Sequence, residues 1–312
     1  MFPEPHFVET NGIRMAVYEE GQGEPVIFLH GFPELAFSWR FQLPAVAAAG
    51  YRAIAVDQRG YGRSSVPPGV DDYGIDRLIG DILGVLDNLA LERATFVGHD
   101  WGAFVLWHMS LLCPGRMERQ AVLNIPFWPR PPVDPIALFR QQLGDDFYIV
   151  NFQDSDEADR TFASDPDHFF DMLMRKNQVS RRDFDKLPAD RRSLSLLQIF
   201  ARRESSGDPL LTDAERDVFA GAFARTGFTG PINWYRNWTA NWERLDGVPQ
   251  IVEVPTLFIG AMDDIVVSPE HIEAMKPFVR NLECHVLDNC GHWSQQEKPD
   301  EVNRLLIDWL TQ

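Results

Sequence analysis

The pentapeptide Gly98-His99-Asp100-Trp101-Gly102 holds the side chain in this sequence that is best placed to do chemistry. It follows the run Ala94-Thr95-Phe96-Val97, β-branched and aromatic like a strand buried on both faces, and precedes a helix-like run from Ala103 to Leu112. Glycines flanking a sharp strand-to-helix turn permit close backbone approach and expose the central side chain, the arrangement called a nucleophile elbow. Here that side chain is a carboxylate. A carboxylate is poorly suited to attack on an ester or amide, but it suits displacement at an sp3 carbon, which leaves an ester on the enzyme for water to hydrolyse. That chemistry points to epoxides or alkyl halides. The competing reading of an isolated Asp at such a place is an acidic N-cap opening a helix, and the rest of the chain must decide between them.

A carboxylate nucleophile needs no activating base, but its ester needs an activated water, and hence a histidine oriented by an acid. His292 lies in Cys290-Gly291-His292-Trp293, after the last strand pattern and before the last helix pattern. Asp263 and Asp264 follow the strand pattern that ends at Gly260, and either can serve as the acid. The chain order is then nucleophile, acid, histidine. A second loop of interest is His30-Gly31-Phe32-Pro33-Glu34, directly after an apolar run. A Gly and a Pro at a strand end fix an irregular loop that can aim backbone N–H groups outward. The loop from Asp57 to Ser64 is Gly-rich but has no Lys and no Walker spacing, so it reads as a structural turn with an internal Asp–Arg pair.

These loops need a sheet to carry them. His6 to Glu9 and Ile13 to Tyr18 read as strands joined at Asn11-Gly12, a hairpin turn. Pro25 to Leu29, Tyr51 to Val56, Ala94 to Val97, Gln120 to Leu123, Pro255 to Gly260 and Cys284 to Leu287 read as further strands. Helical patterns fall between them, at Ser38 to Ala49, from about Pro269, and at Asp300 to Leu310. The clearest is Ile75, Leu78, Ile79, Ile82, Leu86 and Leu89, the apolar stripe of an amphipathic helix. Alternating strands and helices imply a doubly wound, mostly parallel α/β sheet that binds ligands at the C-terminal ends of its strands. After Asn124-Ile125-Pro126 the character changes. Residues 127 to 248 are rich in aromatics, Arg and Asp, with helix-like patterns, and read as a helical cap inserted into a core made of residues 1–126 and 249–312.

At 312 residues, 45% of them hydrophobic, the chain can bury a full core. A formal charge of −17 argues against nucleic acid or an anionic membrane as partner. No apolar stretch approaches the roughly 18 residues that span a bilayer, and the start Met1-Phe2-Pro3-Glu4-Pro5 lacks the basic region of an export signal. Three cysteines without metal-like spacing, and eight histidines without a metal-binding pair, suggest a reducing, cytoplasmic setting and no metal site.

The motifs together carry a resemblance. His30-Gly31-Phe32-Pro33-Glu34, Asp57-x-Arg59-Gly60-x-Gly62-x-Ser64, Gly98-His99-Asp100-Trp101-Gly102 and Gly291-His292-Trp293 stand in the order and context of the epoxide hydrolase branch of the α/β-hydrolase fold. The tail from Asn289 to Leu310 resembles soluble epoxide hydrolases in particular, without the N-terminal phosphatase domain of the vertebrate enzymes. The resemblance implies Asp264 as the triad acid, five residues before Pro269 and followed by Ile265-Val266. Some related dehalogenases place the acid where this chain has Asn124, which favours the later loop. The resemblance also implies two cap tyrosines that donate to the epoxide oxygen. Tyr235 in Asn233-Trp234-Tyr235-Arg236-Asn237 matches one, and Tyr148 in Tyr148-Ile149-Val150-Asn151-Phe152-Gln153 the other. The backbone N–H groups of Phe32 and Trp101 are expected to form an oxyanion hole, Trp101, Phe104 and Phe127 to line an apolar pocket, and His99 to support the site without acting as base. Expected partners are a small epoxide and water; no metal or organic cofactor is expected, and a homo-oligomer is compatible with the chain. The alternatives are a haloalkane or haloacid dehalogenase with the same nucleophile, although Trp101 stands where haloacid enzymes tend to carry Arg, and a non-catalytic ligand-binding protein on this scaffold. No Gly-x-Ser-x-Gly occurs, so a serine esterase is not implied.

Overall fold

A computed structural model describes residues 2–176, 179–188, 192, 194–203 and 205–312. Strands β1 (His6–Thr10) and β2 (Ile13–Gly21) form an antiparallel hairpin. Asn11 and Gly12 turn it with φ of +47° and +78°, the left-handed corner that an Asn-Gly turn supplies. Then β3 (Pro25–Leu29), α1 (Gln42–Ala48), β4 (Arg52–Asp57), α2 (Ile75–Asn88), β5 (Ala94–His99), α3 (Trp101–Leu112) and β6 (Met117–Leu123) alternate. A helical segment follows: α4 (Pro135–Leu143), α5 (Tyr148–Asp154), α6 (Glu157–Ala163), α7 (Pro166–Leu173), α8 (Arg181–Phe184), α9 (Leu196–Arg202), α10 (Asp213–Thr226), α11 (Thr229–Arg236) and α12 (Trp238–Arg244). Within it, the two-residue strands β7 (Arg175–Lys176) and β8 (Asp208–Pro209) pair antiparallel. The chain closes with β9 (Thr256–Ala261), α13 (Pro269–Met275), β10 (Leu282–Leu287), α14 (Ser294–Glu297) and α15 (Pro299–Leu310).

Eight strands make one sheet in the order β1-β2-β4-β3-β5-β6-β9-β10. The β1–β2 and β2–β4 pairings are antiparallel and every later pairing is parallel. Side chains alternate across the parallel strands, so each strand feeds two apolar layers. In β3, Val26 and Phe28 join Leu43, Val46 and Leu306 of α1 and α15, whereas Ile27 and Leu29 join Ile82, Val85 and Leu106 of α2 and α3. Burying one such side chain contributes roughly 1.5–3 kcal/mol, which is why these strands read as continuous apolar runs.

The sheet order places the site. From β3 the chain moves through α1 to β4 on one side, and α2 returns it to β5 on the other. The loops after β3 and β5 therefore diverge, leaving a crevice at the carboxyl ends of the strands. The helical segment is tied down beside it. The Trp234 indole donates to the Arg59 carbonyl at 3.1 Å, Asn237 to the Val70 carbonyl at 2.8 Å, and Ile75 N–H to the Asn241 side chain at 2.8 Å. Among the described residues no helix is long and apolar enough to cross a membrane.

Two local expectations are corrected. The pattern from Ser38 to Ala49 is not one helix: a 3-10 turn spans Ala36–Trp39 and α1 starts at Gln42. Pro44 explains the break, because it has no N–H and fits only the first turn of a helix. The loop after β4 also lacks the expected internal Asp–Arg side-chain pair. The Arg59 guanidinium instead forms a buried bidentate pair with Asp81 on α2, at 2.7 and 2.6 Å. Asp57 is taken up by the Tyr18 hydroxyl and the backbone N–H groups of Ala36 and Arg63, each at 2.9 Å.

Candidate active site

β5 runs directly into α3, and Asp100 is the corner between them, with φ +51° and ψ −118°. A non-glycine residue in the positive-φ region is strained, and such strain persists where the surroundings force it. The glycines show what forces it. A Cβ on Gly98 would lie 2.7 Å from the Gly102 carbonyl, one on Gly102 would run into the Leu29 carbonyl oxygen, and one on Gly31 would strike the Asp100 side chain. The turn thus presses α3 against the end of β3 and lifts the Asp100 carboxylate into the crevice.

Two groups meet that carboxylate. Phe32 N–H, in the irregular loop after β3, donates to its Oδ1 at 2.8 Å. His292 Nε2 lies 3.5 Å from its Oδ2. Behind the ring, His292 Nδ1 faces Asp264 Oδ2 at 2.9 Å, and Asp264 also accepts from Asn124 Nδ2 and from Val266 N–H, both at 2.8 Å. The side chains of Asp100 and His292 are 14% and 16% exposed and Asp264 only 1%, so the first two face the crevice and the third is sealed behind them. Of the two candidate acids the structure brings Asp264 to the imidazole. Asp263 turns away and accepts from Arg181 N–H at 3.3 Å.

Burial opposes charge on all three groups, yet the neighbours of each favour its charged form. For Asp100, the hydrogen bond and charge of His292, then His99 and the Phe32 N–H, outweigh burial and keep the carboxyl below its ordinary range. For Asp264, burial is outweighed by the charge of His292 and by the bonds from His292, Asn124 and Val266. For His292, burial is outweighed chiefly by Asp264 and then by Asp100, which raises its pKa well above the usual value. The two carboxylates thus favour a proton on His292, and His292 in turn favours their charged forms.

Across the crevice stand the two tyrosines, Tyr148 at the start of α5 and Tyr235 in the last turn of α11, their ring centroids 5.7 Å apart. Each phenol lies in the electrostatic field of the other and of the Asp100 carboxylate. Burial, reinforced by the nearby Asp100 carboxylate, pushes both phenols well above the usual tyrosine value, so they stay protonated donors. Tyr235 also packs edge-on to Phe32 at 5.4 Å and Trp101 at 5.0 Å. Phe104 is half-buried and packs against Trp101 at 4.7 Å and Trp238 at 5.3 Å, which continues the aromatic wall. Phe127 is not part of that wall. It packs on Trp107 and Phe278, and no ring contact joins it to a site residue among the described residues.

The support around His99 is built from residues distant in the chain. His99 Nδ1 faces Glu34 Oε2 at 2.7 Å and its Nε2 faces the His292 carbonyl at 2.7 Å. Fully buried Glu34 also accepts from Gly31 N–H at 3.0 Å, Gln295 at 2.8 Å and Gln296 at 3.0 Å. Glu297 accepts from the Gly291 and Trp293 N–H groups on either side of His292, at 3.0 and 3.1 Å. Sequence reading missed Glu34, Glu297 and the glutamines as site supports. Glu34 was visible only as the last residue of its motif, and nothing local marks the other three.

A family model described as alpha/beta hydrolase fold matches residues 24–299. The chain is 42% identical to epoxide hydrolase A of Mycobacterium tuberculosis, across 99% of this chain and 98% of that one. It is 37% identical to bifunctional epoxide hydrolase 2 of Sus scrofa, across 96% of this chain but 53% of that longer protein. Among solved structures, epoxide hydrolase A from Mycobacterium thermoresistibile superposes with a TM-score of 0.88 at 38% identity, covering 99% of this chain and 98% of the other. An epoxide hydrolase from an endophytic Streptomyces gives 0.90 at 36% identity, covering 98% and 95%.

Proposed function

Because this chain belongs to the epoxide hydrolases of the alpha/beta hydrolase fold, we propose that it opens small epoxides to vicinal diols through a covalent ester on Asp100. The observation that carries this reading is the facing pair of devices: a carboxylate held by Phe32 N–H and His292 on one side, and two phenols kept protonated on the other. Opening an epoxide creates an alkoxide that needs a proton donor, whereas a halide leaves unprotonated. A pair of protonated tyrosines beside the nucleophile, one buried and one half-buried, is therefore an argument for epoxide over haloalkane.

The geometry supports a role for each residue. Asp100 Oδ1 is engaged by Phe32 N–H, so Oδ2 attacks an epoxide carbon while Tyr148 and Tyr235 hydrogen-bond the ring oxygen and supply its proton. Esterification removes the charge of Asp100, and with it part of what keeps His292 protonated, so the imidazole gives up its Nε2 proton, which goes by way of water to the phenolate left when the ring oxygen was protonated. The imidazole, its Nδ1–H held by Asp264, then takes a proton from water. That water attacks the carbonyl carbon of the Asp100 ester, and the diol leaves with the oxygen that Asp100 supplied. The oxyanion forms on Oδ1, already at Phe32 N–H, with Trp101 N–H as the second donor; losing one such donor costs about 10²–10³ in rate. Phe104, with Trp101 and Trp238, lines the pocket for apolar substituents. In this reading residues 127–248 are the cap that closes over a core of residues 1–126 and 249–312 and excludes bulk water.

A single turnover of excess enzyme with an aryl epoxide in 18O-labelled water tests the mechanism. Unlabelled diol, with label recovered in Asp100, is expected; Asp100→Ala should form no diol. Labelled diol in the first turnover would mean direct hydration and would overturn the ester route. Halide release from haloalkanes, with no diol from any epoxide, would move the assignment to dehalogenation.

A further inference from the structure

The mechanism proposed above brings two phenols to one oxygen, yet Tyr148 and Tyr235 sit on different helices and come from parts of the chain 87 residues apart. Something must hold α5 and α11 in register. We infer that Arg236, the residue after Tyr235, is the positioning residue that sets the tyrosine pair. The inference rests on the tyrosine roles proposed above.

A guanidinium has five N–H donors in a rigid fork, and all five of Arg236 are used. Nε–H donates to the Phe152 carbonyl at 3.0 Å, and one Nη2 bond reaches the Ser155 carbonyl at 2.7 Å. Both acceptors lie at the C-terminal end of α5, where helix carbonyls lack intrahelical partners. The remaining donors go to Asp159 Oδ1 at 3.0 Å, Asp159 Oδ2 at 2.7 Å and the Asn233 side-chain oxygen at 2.8 Å. Asp159 is on α6 and Asn233 one turn back on α11, so one side chain joins three helices. Arg236 and Asp159 are 13% and 5% exposed, well shielded from the solvent that makes surface pairs weak.

The same contact reaches the phenols through one residue. Phe152, whose carbonyl takes the Nε–H, has its ring against both tyrosines, 5.7 Å from Tyr148 and 5.2 Å from Tyr235. Gln153 adds a second tie, its Nε2 donating to the Ile149 carbonyl on α5 and to the Tyr235 carbonyl on α11, at 2.8 and 2.9 Å. None of these groups touches Asp100, His292 or Asp264. A change at Arg236 therefore acts on the half of the reaction that uses the tyrosines and leaves the half that uses His292 alone.

Arg236→Lys separates the two. It keeps a cation beside Asp159 but lacks the fork that reaches the Phe152 and Ser155 carbonyls. Ester formation and ester hydrolysis are read separately by rapid quench and intact-protein mass. The expected result is ester formation slowed about 10–100-fold, as for a misplaced catalytic group, with hydrolysis changed by less than about twofold. Both rates retained, or both reduced in the same ratio, would overturn the inference. If Arg236→Lys does not fold, Gln153→Met, which removes only the amide tie, must show the same split; its absence overturns the inference equally. Tyr148→Phe and Tyr235→Phe run alongside. Slowed ester formation in these with none in Arg236→Lys defeats the positioning role alone, whereas unimpaired tyrosine variants defeat the underlying reading.

Discussion

Replacing Asp264 by alanine should convert this enzyme into one that makes its ester and stops. Asp264 is the strongest of the influences that favour a proton on His292, and it accepts the imidazole Nδ1–H at 2.9 Å. Without it the ring loses its tautomer, its orientation and the charge that stabilises the imidazolium formed when water is deprotonated. Removing the acid of a serine-protease triad costs on the order of 10⁴ in rate, equivalent to about 5 kcal/mol in barrier. That loss falls on ester hydrolysis. Ester formation uses the carboxylate of Asp100, still held by Phe32 N–H, and the two phenols, so it should stay within about tenfold of wild type. Rapid mixing with an epoxide, acid quench and intact mass should then show the ester accumulating on nearly every chain, while steady-state diol formation falls by about four decades. Asp263→Ala is the control, since among the described residues the Asp263 carboxylate accepts from Arg181 N–H and not from His292. Ester accumulating in Asp263→Ala, or diol formation within tenfold of wild type in Asp264→Ala, would refute the assignment.

Three further outcomes are expected. Gly102→Ala drives a methyl into the Leu29 carbonyl and should cost several kcal/mol, seen as a large loss of Tm or of soluble protein; Gly115→Ala, with nothing within 4 Å, should stay within about 0.5 kcal/mol. Glu34→Gln removes a buried charge whose folded-state pKa is lowered, chiefly by His99 against the opposing effect of burial, and should cost about 3–5 kcal/mol at neutral pH. Since that pKa lies below the unfolded value of about 4.3, the wild-type advantage is full above it and shrinks as pH falls below it; urea unfolding curves showing an equal gap at pH 7 and pH 3 would contradict this. Because both phenols are raised above their ordinary value, ester formation should stay flat through about pH 10, and a stopped-flow profile falling with a midpoint near 9 would contradict it.

The readable parts of this protein are those written in consecutive residues. Strand runs such as Pro25 to Leu29, the apolar stripe of α2, the Asn11-Gly12 turn and the glycines around Asp100 act through neighbours a few positions away, so composition and spacing carry them. Pro44 acts as locally, dividing the pattern from Ser38 to Ala49 into a 3-10 turn and the start of α1.

The motif order also singles out Asp100, His292, Tyr148 and Tyr235, and the structure gathers them around one crevice. Tertiary structure was needed wherever a side chain's partner comes from another strand end. Asp263 and Asp264 are adjacent and chemically identical, and only the meeting of the β9 and β10 loops decides which one faces His292. Arg59 pairs with Asp81 on α2 instead of with its own loop, and Phe127 turns to Trp107 and Phe278 instead of to the site. Glu34 draws on Gln295 and Gln296, more than 260 positions away. A parallel sheet gathers the ends of many strands at one edge, so the polar partners that must satisfy each buried charge are chosen by strand order, which no local spacing encodes.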